Sequence, residues 1–200
     1  MKLVFIFCLI VVLAGSCQLK GQVEESREIS GVSSETSDII IADSAAKQTK
    51  GVRVGGAWIV PNHVLLENIS EPTNIRKFNK VLQGTYLREI IAGKGPFTLF
   101  IPTDAAFKKL PPGLQQELFS TSENEQRLDF IKLHIVPGKI VASDLTNEVV
   151  LKAGNGHNLH VQNKKGIIHV DDASIIVKDG VSNNGVVHII DRVLVEENQH

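Results

Sequence analysis

The stretch TLFIPTDAAF, residues 98–107, reads as a buried strand that passes straight into a helix. Phe97 to Pro102 is a short apolar run closed off upstream by the turn formers of Gly93 to Pro96, the pattern of a buried strand. Leu99 and Ile101 alternate with Thr98 and Phe100, so apolar burial holds the strand. Thr103 or Asp104 then stands where an N-cap belongs, placing a side-chain oxygen near the first-turn amides of a helix through Ala105, Ala106 and Phe107.

Upstream, residues 61–69 and 74–91 space their apolar side chains three and four apart. Ile75, Phe78, Val81 and Leu82, then Tyr86, Leu87 and Ile90, predict helices, the second segment broken near Gly84. Downstream, 114–118 and 123–134 read as helices, the latter turning Leu128, Ile131 and Leu133 or Ile135 to the core and ending at Pro137-Gly138-Lys139. From Val149 the period changes to two. Strands are predicted over 149–151, 159–162, 166–170, 174–178 and 186–195, with turns at Asn155-Gly156, 163–166 and 183–185. Helices first and strands later make the fold class α+β.

Composition narrows the function. With 21 Lys and Arg against 22 Asp and Glu, the net charge of −1 lacks the basic excess of a nucleic-acid binder. The two cysteines, Cys8 and Cys17, both lie in the first seventeen residues, so neither a disulfide framework nor a thiolate metal site is expected beyond them. Lys2, the apolar run Leu3 to Ala14 and the small Gly15 and Ser16 form a secretory signal over 1–16. As a helix that run spans roughly 18 Å, short of the roughly 30 Å hydrocarbon core. Residues 17–50, rich in Ser, Glu, Gln, Thr and Lys and without an aromatic, read as a flexible tether. The tether is acidic, and the 16 basic and 16 acidic residues of 51–200 leave the remainder neutral and long enough for one domain.

Two resemblances follow from these residues. LAGSC, 13–17, resembles the lipobox of bacterial lipoproteins, which implies cleavage before Cys17, a lipid on its sulfur and a membrane anchor. Gln18, in place of a retaining aspartate, implies the outer membrane. TLFIPTDAAF and NNGVVHIIDRVLV, 183–195, resemble the two signature segments of the fasciclin domain family, and LHIVPGKI, 133–140, is similar to its central segment. VGGAWIVPNHVLLENI, 54–69, looks like the opening of bacterial members. The likeness covers about 55–196 of the domain at 51–200. It implies a wedge of two small β-sheets with helices packed along one edge, and a role in adhesion to cells, matrix proteins or polysaccharides. Thr103, Asp104, His134, His188 and Asp191 fall in the family motifs and are read as structural, since a buried polar group left unpaired costs about 1–3 kcal/mol. The family's tyrosine beside the central histidine is Leu133 here.

No catalytic pattern emerges. His157, His160 and His169, with Asp171 and Asp172, invite a metal reading, but strand residues three apart face opposite ways, so solvent-facing strand histidines are expected. The chain has no G-x-S-x-G elbow, no H-E-x-x-H and no glycine-rich phosphate loop. The expectation is a non-enzymatic, envelope-anchored binding module without cofactor or metal, monomeric as a domain. Its partner is expected to be an extracellular protein or polysaccharide; the alternative is a periplasm-facing lipoprotein with no adhesive role. Trp58 and Tyr86 are the larger aromatics suited to an interface, in segments that can equally pack on the core. The sequon at Asn68 is expected to have no use.

Overall fold

The computed structural model describes residues 51–120 and 124–196. It opens on a hairpin, β1 (Val52–Val54) and β2 (Ala57–Ile59), followed by three short helices, α1 (Leu65–Ser70), α2 (Arg76–Leu82) and α3 (Tyr86–Ala92). Strand β3 (Phe97–Pro102) leads into α4 (Asp104–Phe107), α5 (Pro112–Leu118), α6 (Glu125–Leu133) and β4 (Ile135–Pro137). The rest is sheet: β5 (Val150–Lys152), β6 (Asn158–Lys164), β7 (Ile167–Val170), β8 (Ala173–Ser182) and β9 (Gly185–Ile190). The fold is α+β with two sheets of unequal size, the hairpin and a seven-stranded mixed sheet ordered β4-β3-β9-β8-β7-β6-β5.

The signature segments are neighbours. Strand β3 pairs in parallel with β9, Leu99 opposite Val187 and Phe100 opposite His188, and every residue of β9 is buried. A strand covered on both faces must be apolar on both, and that is why its sequence does not alternate. Leu99, Ile101, Val187 and Ile189 join one core with Ile59, Ile69, Phe78 and Phe107 from the hairpin and helices. Phe100 and Ile190 point the other way, into a second core with Leu133, Val136, Leu159 and Val170. Burying a side chain of this size contributes about 1.5–3 kcal/mol, so the β3–β9 pair fastens both halves of the domain.

Local deviations from the expected elements have physical causes. The helix expected from residue 61 begins at Leu65, where the Glu67 carboxylate accepts the Val64 amide and Asn184 Oδ1 accepts the Leu65 amide. The break near Gly84 is present, with φ +79° between α2 and α3. The last strand, expected to run to Val195, stops at Ile190. Beyond it the Asp191 amide goes to the Ser174 carbonyl, and the Leu194 amide turns inward to His134 Nε2 instead of extending a ladder. Strands β1, β2 and β4 were not expected from periodicity, each being only three residues long.

Candidate functional site

The motif residues are bound into the scaffold. Thr103 is the N-cap of α4, its side chain accepting the Ala106 amide at 3.2 Å. Asp104 reaches away from its own helix and accepts the Lys77 amide at 2.7 Å, tying α4 to the first turn of α2. His134, fully buried at the end of α6, donates from Nδ1 to the Phe130 carbonyl at 2.7 Å and accepts the Leu194 amide on Nε2 at 3.2 Å. Its ring sits against Phe130 and Phe78, with centroids 4.5 and 5.8 Å away. His188, also fully buried, stacks on Phe100 at 5.5 Å, donates from Nε2 to the Ile140 carbonyl and accepts the Asp179 amide on Nδ1. Asp191 was expected to be buried and is half-buried, its carboxylate accepting the Ser174 amide at 2.7 Å where the strand ends. Cys17 lies outside the described residues.

Both buried imidazoles are neutral, because each uses one nitrogen to donate and the other to accept. Burial pushes the His134 pKa down from 6.5 to about 4, against the opposing pull of the Phe130 carbonyl. Burial lowers His188 in the same direction. A histidine that holds a proton less readily folded than unfolded gives full stability above about pH 6.5 and loses it as pH falls toward about 4. His134 alone is expected to remove about 2 kcal/mol between pH 7 and pH 5. Urea unfolding across that range measures it.

Three supporting residues carried no sequence signal for their role. Asn184, in the turn before β9, donates to the carbonyls of Ile91 and Gly93 while its Oδ1 caps α1. Asn68, the sequon residue, is 2% exposed, with its amide nitrogen donating to Val60 and Ser182. It is a structural clamp between α1 and β8. Arg127 is 5% exposed and donates to the carbonyls of Val81, Ser120, Lys80 and Gln83. Three of those belong to the C-terminal turn of α2, whose carbonyls have no helical partner.

The exterior is where free chemistry remains. The histidines weighed as ligands do not share one environment: His160 is exposed on β6, while His157 and His169 are half-buried rather than solvent-facing. His169 Nδ1 lies 3.3 Å from the Ser174 hydroxyl. Among the described residues no three His, Cys, Asp or Glu side chains gather as a metal-ligand set. Trp58 and Tyr86 are 54% and 49% exposed and so do not pack on the core; Trp58 stands opposite Arg53 in the hairpin. A depression of about 700 Å³ opens between α1, α2 and α3, lined by Arg76, Lys80, Arg88, Glu89 and the polar Asn79 and Gln83.

Comparison with known proteins places this arrangement. The family model of the fasciclin domain matches residues 73–196. Protein sll1483 of Synechocystis sp. is 36% identical over 110 residues, 54% of this chain and 60% of that protein. Periostin of Homo sapiens is 34% identical over 112 residues, 55% of this chain and 13% of periostin. The solved domain pair from the insect cell adhesion molecule fasciclin I aligns with a TM-score of 0.61 at 19% identity, covering 69% of this chain and 52% of the other. The chain therefore spans less than two thirds of each of these proteins.

Proposed function

Because this chain belongs to the fasciclin domain family, we propose that it is a non-enzymatic binding module held at the cell envelope through a lipid on Cys17. The observation that carries the reading is where the motif hydrogen bonds go. Thr103, Asp104, His134, His188 and Asp191 all bind backbone groups, so the polar residues that mark the family serve the scaffold and recognition falls to the exterior. The LAGSC segment supports lipidation of Cys17, Gln18 after it supports the outer membrane, and the acidic stretch that follows supports a domain standing off its anchor. The partner is an extracellular protein or polysaccharide, bound by a single copy of the domain.

Three measurements test this. In cells fed labelled palmitate, the wild-type chain is expected to carry label and pellet with membranes, and Cys17→Ser to do neither; an unlabelled wild-type chain removes the anchor. Protease added to intact cells is expected to cut the domain, whereas a domain that is never reached leaves the periplasm-facing role. Turnover of any compound on a broad substrate panel by the purified chain overturns the non-enzymatic reading.

A further inference from the structure

The depression between α1, α2 and α3 gathers positive charge in a domain that is neutral as a whole. Arg76, Lys80 and Arg88 line it against one carboxylate, Glu89, whose contact with Arg88 is a loose 3.9 Å pair between exposed groups. Among the described residues neither Arg76 nor Lys80 has a carboxylate within ion-pair distance. The Phe119 ring lies 5.7 Å from the Lys80 ammonium.

Arg76 opens α2 and Lys77 follows it, at the end of a helix where the backbone dipole disfavours cations; the carboxylate at that turn, Asp104, comes from α4 and is bound to the Lys77 amide. The other end of α2 carries carbonyls that would repel an anion. There the buried Arg127 has placed its guanidinium on the carbonyls of Lys80, Val81 and Gln83. The charged lining of the depression is thus mainly cationic, and the carbonyls at the end of α2 beside it are already bound.

We propose that this depression binds an acidic polysaccharide, its carboxylate or sulfate groups meeting Arg76 and Arg88 and its hydroxyls meeting Asn79 and Gln83. Separated cations around an open hollow suit a chain with repeated charges better than one small anion. A guanidinium fork matches planar carboxylate and sulfate oxygens in pairs. The lining has no aromatic side chain, and of its two leucines, Leu66 and Leu82, the second is buried, so it offers little of the aromatic anchoring typical of a protein partner. The inference rests on the binding-module reading and assigns its ligand class and its site.

The test is fluorescence anisotropy of labelled alginate and labelled heparin titrated with the purified full chain at low and high salt. Neutral dextran and phosphatidylglycerol vesicles serve as comparisons. Expected are saturable binding of at least one acidic polymer, weakening with salt, none to dextran, and a loss of about tenfold or more in R76E/R88E, about 1.4 kcal/mol. The uncharged R76Q/R88Q is expected to fall between, and K152E/K164E, on exposed strands remote in sequence, to bind as wild type. Thermal melts of all three establish that they fold. Binding that survives R76E/R88E, that is lost equally in K152E/K164E, or that prefers the lipid vesicles overturns the proposal. So does silence toward both polymers. In that case a matrix-protein and neutral-glycan array distinguishes a wrong ligand class, where another ligand binds, from failure of the module reading, where none does.

Discussion

Gly185→Ala is expected to yield little folded protein, with any soluble fraction destabilised by about 3 kcal/mol or more in urea unfolding. Gly185 begins β9 opposite Phe97 of β3, and a Cβ there would stand 2.0 Å from the Phe97 carbonyl oxygen and 2.7 Å from a Leu65 methyl. The first obstacle is backbone in a parallel ladder, so relief requires β9 to withdraw from β3. Since those strands carry the two cores on their opposite faces, withdrawal loosens both. The effect does not come from a special backbone angle, because no positive φ occurs at this residue. It is a matter of closeness. An Ala at the open Gly113 is the control, expected to change little.

Arg127→Met is expected to cost about 3 kcal/mol or more while keeping the length of the aliphatic stem. The guanidinium satisfies four carbonyls from two segments, the end of α2 and Ser120, and its charge meets the partial negative end of α2. Met returns apolar volume and leaves those carbonyls dry and unpaired, a penalty for each that burial of a thioether does not offset. Arg127→Lys is expected to recover only part of the loss, since one ammonium cannot span the fork's acceptors. Urea midpoints of the two variants separate the contribution of charge from that of geometry. A midpoint for Met within about 0.5 kcal/mol of wild type would mean the carbonyls find water instead.

The sequence was most legible where burial is periodic and a turn residue punctuates it. Strand β3, the cap at Thr103, the break at Gly84 and the turn before Gly166 follow from local chemistry and stand where expected. The hairpin β1–β2 was missed although Val54-Gly55-Gly56-Ala57 is a two-residue turn signal; both glycines take positive φ, and three-residue strands are too short to show a period. The end of β9 was overrun because Val193 and Leu194 are as apolar as the strand before them. What stops the strand is a histidine sixty residues away taking the Leu194 amide, and no local pattern encodes that.

The candidate site was less legible for a similar reason. His134 and His188 were readable as structural, since a polar side chain inside an apolar strand or helix end has to be satisfied. Arg127, Asn68 and Asn184 look like ordinary surface residues in sequence, and only the tertiary arrangement shows that they bind polar groups on distant segments. The basic depression was hidden by arithmetic. A neutral total says nothing about position, and Arg76 and Arg88 come together only because α2 and α3 are separate helices folded around Gly84. Exposure of Trp58 and Tyr86 was likewise undecidable from segments able to pack either way.

If the polar residues of the family motifs hold the fold and leave binding to the surface, loss of His134 must cost stability and spare affinity. The urea midpoint of His134→Ala, measured at neutral pH beside binding of the same preparation to its ligand, tests it most directly. The expected result is a loss of about 2 kcal/mol, from a vacated ring site and two broken hydrogen bonds, with affinity unchanged wherever the protein remains folded. An unchanged midpoint together with lost binding would contradict it.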